Sequence, residues 1–415
     1  MTSEANPKTV LLQFSGPDRV GLAADLTAIL CRHPLRILDI GQAVVHETLA
    51  LSILIEVPVR AQFTSLRAEL QERALALELH ARFTPVPSGS LQHWLHCLRK
   101  QHWIITILGR AITAPQLARV SAIVAAHGMN IDRIDRLSGQ LAPLADTANA
   151  CIELSVSGEL SSEAGMRAEF MAAALELSVD IAMQRESIFR RNRRLFAFDM
   201  DSTLIDGEVI DELAKLAGVG DQVALITESA MRGEIAFDES FTRRVALLRG
   251  LPAERVYGLL DTIRLSEGAE RLIRTLKLLG YKTAILSGGF SFFAGSLQQR
   301  LGIDYTFSNE LQIENGKVTG RVVPPIVNGE RKAALLAEIT ARENISLEQV
   351  VAVGDGANDI PMLNLAGMGI AYRAKPLTRQ KADQSISCLG LDGLLYLIGV
   401  RDRDLDAHAS TIAAE

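Results

Sequence analysis

Apolar positions along the first 185 residues switch between strand-like runs and helical spacing in one repeated order. Val10-Leu11-Leu12-Gln13-Phe14 reads as a strand, stopped by the turn-forming Ser15-Gly16-Pro17-Asp18. Leu22, Leu26, Ile29 and Leu30 then recur at the spacing of one helical face. Apolar runs over 37–45 and 49–57 form a predicted hairpin, followed by an amphipathic helix over 64–77 and a strand over 79–83. The order returns about 90 residues later: strand 102–108, helix 114–127, strands 130–137 and 150–156, and helix 162–178. Two copies of a βαββαβ unit are therefore expected, over 8–84 and 100–184, joined by the linker Pro85-Val86-Pro87-Ser88-Gly89-Ser90.

From residue 193 to about 400 the pattern is different. Short, continuous apolar runs at 195–198, 283–286, 350–353 and 368–371 alternate with helical stretches, which suits strands buried on both faces of a parallel sheet. Between the first two runs lies a helical stretch over about 208–265 that reads as an inserted cap. Asn315-Gly316, between two strand-like runs, predicts a hairpin. The expected fold class is thus α/β, a Rossmann-like parallel sheet with a helical cap, preceded by two α+β ferredoxin-like domains. The small, polar stretch 401–415 is expected to be a frayed tail.

Composition narrows the class without naming it. With 415 residues, 48% hydrophobic and 22% charged, the chain has the make-up of a multidomain globular protein. A formal net charge of −6 argues against a broad nucleic-acid or anionic-membrane surface. No apolar run is long enough to span a bilayer, and the first residues lack a secretory pattern, so a cytoplasmic location is expected. Cys31, Cys97, Cys151 and Cys388 have no metal-like spacing and read as reduced core thiols. His93, His96 and His102 lack cysteine or acidic partners at ligand spacing, and Trp94 and Trp103 read as packing anchors. Arg190-Arg191-Asn192-Arg193-Arg194 reads as the solvated end of a connecting helix.

Chemistry gathers at the ends of three buried runs. The first delivers Asp199-Met200-Asp201-Ser202-Thr203, the second Ser287-Gly288-Gly289, the third Gly354-Asp355-Gly356-Ala357-Asn358-Asp359. Ligands of open α/β sheets collect beyond the carboxyl ends of the strands, so four carboxylates and a hydroxyl are expected on one rim. Such crowding needs positive charge, which Lys332 and a hard divalent cation such as Mg²⁺ can supply.

Residues 195–400 resemble the haloacid dehalogenase superfamily of phosphohydrolases, through Asp199-x-Asp201-x-Thr203, Ser287, Lys332 and Gly354-Asp355-x-x-x-Asp359 in that order. Within it, the stretches Asp199-Met-Asp-Ser-Thr-Leu-Ile-Asp-Gly-Glu208, Ser287-Gly-Gly-Phe and Gly354-Asp-Gly-Ala-Asn-Asp are similar to the phosphoserine phosphatase family. The two leading units resemble ACT domains, which sense amino acids. The first carries Gly16-Pro17-Asp18-Arg19-Val20-Gly21-Leu22, whereas the second lacks an Asp-Arg-x-Gly stretch.

The resemblance implies a set of roles. Asp199 would be the nucleophile and Asp201 the acid and base. Ser287, the Gly288 amide, Lys332 and Asn358 would hold the phosphoryl group, with Asp359 orienting Lys332. Asp199, Asp355 and the main-chain carbonyl of Asp201 would ligate Mg²⁺. Glu208 would receive the substrate ammonium, unless it is an ordinary helix residue beside Asp211 and Glu212. Arg244 would receive the substrate carboxylate, although by residue type Arg243 is an equal choice. Met231 and Phe237 would close over the site or simply pack the cap. The implied substrate is phosphoserine, with L-serine or another amino acid as an effector near Gly16, Asp18, Arg19 and Gly21, and a homodimer as the assembly. A phosphatase or phosphotransferase for another small phosphate, or an amino-acid sensor with a non-catalytic core, are the alternatives.

Overall fold

The computed structural model describes residues 8–57, 60–87, 89, 101–139, 149–232 and 234–405. They fall into two compact units, residues 1–100 and 101–415.

In the first unit, β1 (Lys8–Pro17), α1 (Leu22–Leu30), β2 (Arg36–Val45), β3 (Thr48–Val57), α2 (Arg60–Ala76) and β4 (His80–Val86) form an antiparallel sheet in the order β2-β3-β1-β4. Alternation decides which face is covered: Val10, Leu12 and Phe14 of β1 and Leu49, Leu51, Ile53 and Ile55 of β3 are buried with Leu22, Leu26, Leu66 and Leu70 of the helices. The edge strand β2 stays open along its length, with Ile37, Ile40, Val44 and Val45 exposed. Pro85 and Val86, expected in a linker, continue β4 opposite Val10 and Thr9. That edge position tolerates a residue with no N–H.

The second unit begins with the other copy: β5 (Gln101–Gly109), α3 (Ala114–Ala126), β6 (Asn130–Arg136), β7 (Ala150–Gly158), α4 (Glu163–Leu177) and β8 (Asp180–Arg185), in the order β6-β7-β5-β8. This copy is fastened to the larger domain behind it. Gln384 exchanges two hydrogen bonds with the Met183 main chain, at 2.9 and 2.7 Å, and the Asp180 carboxylate accepts the N–H groups of Ser387 and Cys388.

The larger domain is a seven-stranded sheet, β12-β11-β10-β9-β13-β14-β15, parallel except for β12. Its strands are β9 (Leu195–Phe198), β10 (Lys282–Phe290), β11 (Tyr305–Glu314), β12 (Lys317–Val323), β13 (Val350–Gly354), β14 (Met368–Tyr372) and β15 (Gln384–Ile386). Helices α5 (Val209–Ala217), α6 (Gly220–Met231), α7 (Phe237–Leu247) and α8 (Ala253–Gly258) form the cap between β9 and β10. Next come α9 (Ala269–Leu278), α10 (Ser291–Leu301) and α11 (Gly329–Arg342), which carries Lys332. Every residue of β9, β13 and β14 is buried, as expected of strands covered on both faces. The parallel half of β11 and the three-residue β15 were not anticipated; Tyr-Thr-Phe-Ser-Asn carries too many polar residues to read as a buried strand.

Several expectations change. The arginine run is a turn between β8 and β9 rather than a helix end and is solvated only in part: Arg191, Asn192 and Arg194 are exposed, whereas Arg190 is 2% and Arg193 7% exposed. Arg190 is paired with buried Glu153 and Arg193 donates to the Glu348 carbonyl, while Arg190 Nε and Nη1 and Arg193 Nε are buried without a partner. The part of the tail that is described, 401–405, is tied down. Asp402 accepts from the Gly139 N–H at 2.7 Å, the Tyr396 hydroxyl at 2.8 Å and Arg271 at 2.8 Å. Residues 406–415, with His93, Trp94, His96 and Cys97, lie outside the described residues. Cys31 is exposed rather than in a core, whereas Cys151 and Trp103 are buried. Among the described residues no helix is long and apolar enough to cross a membrane.

Candidate active site

Asp199 follows directly on β9, and its N–H donates to the Val353 carbonyl of β13 at 2.9 Å, so the central strands set its height above the sheet. The chain then turns sharply. Ser202 has φ +55, a left-handed conformation that a non-glycine residue adopts at some cost, and its N–H closes on the Gly207 carbonyl at 2.9 Å. The turn points Asp201 at the first helix of the cap, where its Oδ1 accepts the Val209 N–H at 2.9 Å. A carboxylate at a helix N-terminus is stabilised by the unpaired N–H groups there.

From the neighbouring strand β10, Ser287 is wholly buried, and its Oγ accepts the Gly289 N–H at 2.9 Å. A Cβ on Gly289 would lie 2.4 Å from Asp201 Oδ2, which explains a glycine there: the loop and the carboxylate share one space. On the other side, β13 delivers Asp355, and Asp359 folds back so that its Oδ2 accepts the Gly356 N–H at 3.0 Å. Gly354 has the same constraint, since a Cβ would stand 2.5 Å from the Asp359 carboxylate.

Lys332 joins these pieces. It has no exposed surface, and its Nζ lies 2.9 Å from Asp199 Oδ1 and 2.7 Å from Asp359 Oδ1. Burial disfavours its charge, but the two carboxylates outweigh that and hold it protonated, with its pKa above the usual lysine value. One ammonium does not neutralise the cluster. Burial, and then the charge of Asp359, push Asp199 well above the carboxylate range against the pull of Lys332. Burial and Glu208 push Asp201 up to about 8. Burial and Asp359 push Asp355 up to about 7, opposed by Lys375, whose Nζ lies 3.8 Å away.

Oxygen atoms of Asp199, Asp355 and Asp359 lie within 4.8 Å of one another. This all-oxygen, charge-deficient donor set fits a hard divalent cation. Asp359 already spends one oxygen on Lys332 and the other on the Gly356 N–H, whereas Asp199 is engaged through Oδ1 alone, by Lys332 and the Met200 N–H. Within this trio Asp199 and Asp355 are the freer carboxylates.

The cap supplies the outer groups. Glu208 accepts from the Ser202 hydroxyl at 3.0 Å. The two arginines differ in position: Arg243 is exposed and paired with Glu239, whereas Arg244 turns inward. Burial lowers the Arg244 pKa against the charges of Glu208, Asp211 and Asp201, its Nη1 reaches only Thr227 at 3.4 Å, and its buried Nε has no partner. Phe237 stacks on Phe241, and its ring edge would be 3.1 Å from a Cβ at Gly288. Met231 ends α6, and its side chain is outside the described part. Asn358 is half-buried in the turn between Asp355 and Asp359. In the first unit, Gly16 is the next-to-last residue of β1, Asp18 N–H donates to the Glu47 carbonyl, Arg19 pairs with Glu78, and Gly21 is the N-cap of α1 with φ +94.

Two further residues belong to this neighbourhood. Lys375 lies just past the end of β14, so the strand-end rule could have found it. Asn309, buried on β11, contacts the Ser287–Gly289 loop and carries no motif that would reveal it.

The fold and this cluster are those of a haloacid dehalogenase-like hydrolase behind two ACT domains. The corresponding families match residues 193–367, 8–84 and 101–184. A phosphoserine phosphatase of Streptomyces coelicolor is 39% identical over 405 residues, covering 98% of this chain and 95% of the relative. One of Mycobacterium tuberculosis is 39% identical over 400 residues, covering 96% and 95%. A haloacid dehalogenase family hydrolase of Salmonella enterica serovar Typhi, solved by crystallography, is 32% identical with a TM-score of 0.63, covering 71% of this chain and 99% of that one. The chain belongs to the phosphoserine phosphatase family.

Proposed function

We propose that this protein hydrolyses O-phospho-L-serine to L-serine and phosphate through an aspartyl-phosphate on Asp199. The observation that carries the reading is the pairing of Asp199 with buried Lys332 beneath a cap that offers Glu208 and an incompletely partnered Arg244. A phosphoryl group, an ammonium and a carboxylate each have a complementary partner there. The relatives' names agree with that substrate.

Asp199 attacks phosphorus while the bond to the serine oxygen breaks, and Asp201 gives its proton to the departing alkoxide. Burial and the charge of Glu208 raise the Asp201 pKa, which favours the protonated carboxyl that this step needs. Asp201 then takes a proton from the water that attacks the acyl phosphate, releasing phosphate and restoring Asp199. Ser287, the Gly288 amide, Lys332 and Asn358 hold the phosphoryl oxygens, and Asp359 orients Lys332. Asp199, Asp355 and the Asp201 carbonyl would hold Mg²⁺, which supplies further neutralisation of phosphoryl charge. Met231 and Phe237 close the cap over the ester.

The reaction would be the last step of serine biosynthesis, in the cytoplasm. The ACT domains would pair two copies of the chain, since β2 offers an uncovered edge, and would take L-serine or a related amino acid near Gly16, Asp18, Arg19 and Gly21.

Phosphate release with excess Mg²⁺ and after chelation tests the enzyme. Activity is expected to fall to background with chelator and to return with Mg²⁺. A higher kcat/KM for phosphothreonine or phosphohomoserine would overturn the substrate. Arg244→Lys loses the planar fork and is expected to raise KM for phosphoserine by about 10–100-fold. It should leave hydrolysis of p-nitrophenyl phosphate, which has no carboxylate, near the parent rate.

A further inference from the structure

Strand β10 holds two residues more than its neighbour across the phosphoryl-binding loop. Leu286 pairs with Phe307 and Phe290 with Asn309, so β10 advances four residues while β11 advances two. Ser287, Gly288 and Gly289 therefore leave the ladder on that side, and their main-chain groups need other partners. A side chain fills the gap. Asn309 Nδ2 donates to the Gly288 carbonyl at 2.8 Å, and its Oδ1 accepts the Val327 N–H at 2.8 Å. Asn309 is 1% exposed, and its two partners fix the amide orientation, because a flip would set oxygen against oxygen and N–H against N–H.

We infer that Asn309 is a positioning residue of the phosphoryl cradle: by holding the Gly288 carbonyl it orients the 288–289 peptide, whose N–H turns the Ser287 hydroxyl toward the substrate. The Gly289 N–H donates to Ser287 Oγ at 2.9 Å, which occupies an oxygen lone pair and leaves the hydroxyl proton for a phosphoryl oxygen. At its other end the same amide holds Val327, two residues before α11 and five before Lys332. One buried side chain thus sets the spacing between the hydroxyl and the ammonium that share the phosphoryl group. This deepens the phosphatase reading above and rests on it.

The test compares the parent protein with Asn309→Leu and Asn309→Asp. It reads kcat/KM for phosphoserine and, independently of turnover, the binding of inorganic orthophosphate by calorimetry with Mg²⁺, from pH 5.5 to 9. Asn309→Leu leaves the Gly288 carbonyl and Val327 N–H unpaired. It is expected to weaken orthophosphate about tenfold or more and to lower kcat/KM at least as much. In Asn309→Asp the introduced carboxyl faces the Gly288 carbonyl and the Val327 N–H, neither of which titrates. Protonated, it again donates to Gly288; ionised, it repels that carbonyl. Its activity relative to the parent should therefore rise as pH falls. A role in packing alone would not produce that slope. The inference is overturned if Asn309→Leu binds orthophosphate within twofold of the parent, or if Asn309→Asp stays at the leucine variant's level at every pH. If Asn309→Leu does not fold, the aspartate series decides. Should the parent bind orthophosphate yet leave phosphoserine intact, the substrate assignment fails while the binding constants still judge Asn309.

Discussion

Asp199→Asn is expected to fold normally and to release phosphate from phosphoserine at least about 10³-fold more slowly than the parent, because the attacking oxygen becomes a neutral amide. Folding should survive for electrostatic reasons. Asp199 is one of several buried carboxylates that share too little positive charge, and its own pKa is driven up by burial and by Asp359. Removing its charge relieves that crowding, and Lys332 keeps Asp359 as a partner at 2.7 Å. The amide oxygen can still accept the Met200 N–H, now 2.7 Å from Asp199 Oδ1. The melting temperature should be unchanged or higher, which separates lost chemistry from lost structure. Acid quenching during turnover of radiolabelled phosphoserine should trap protein-bound phosphate in the parent and none in the variant. A residual rate within tenfold of the parent would remove Asp199 as the nucleophile.

The site was legible in the sequence because its chemistry lies where buried strands end. Runs such as Leu195–Phe198 announce themselves by having no polar face, and the residues that follow them must emerge at one rim. Asp199, Ser287 and Asp355 could therefore be placed together from the sequence, whereas Lys332, on a helix, joined them through the positive charge they need and through the family resemblance. What stayed hidden depends on contacts between distant segments. Asn309 comes from a polar stretch whose strand character is imposed by pairing with β10, and its role exists only because β10 bulges beside it. Arg190 and Arg193 look like solvated charge until Glu153 and the Glu348 carbonyl meet them 37 and 155 residues away. Asp402 likewise gains its meaning from Gly139, 263 residues earlier. Local pattern records what a residue can satisfy alone; a buried polar group records its partner.

Lys332→Met carries the largest combined effect, on stability and catalysis together. Methionine fills much of the same volume but leaves Asp199 and Asp359 without the ammonium that lies within 2.9 Å of both. Breaking one side of a buried charge cluster costs about 3–5 kcal/mol. The pH dependence has a defined sign. In the variant the folded-state pKa of Asp199, already raised by burial and by Asp359, rises further, so the folded chain binds more protons than the unfolded one, and stability falls as pH rises. The deficit should therefore be small near pH 5 and largest at pH 8, measured by denaturant unfolding with chelator present. Mg²⁺ should restore more stability to the variant than it adds to the parent, because it becomes the chief positive charge left at the cluster. Turnover should fall by about 10²–10³-fold even with saturating Mg²⁺, since the donor proposed to hold the phosphoryl oxygens is gone. A variant equally stable at pH 5 and pH 8 would mean that Lys332 does not balance Asp199 and Asp359. The electrostatic account of the nucleophile would then fail with it.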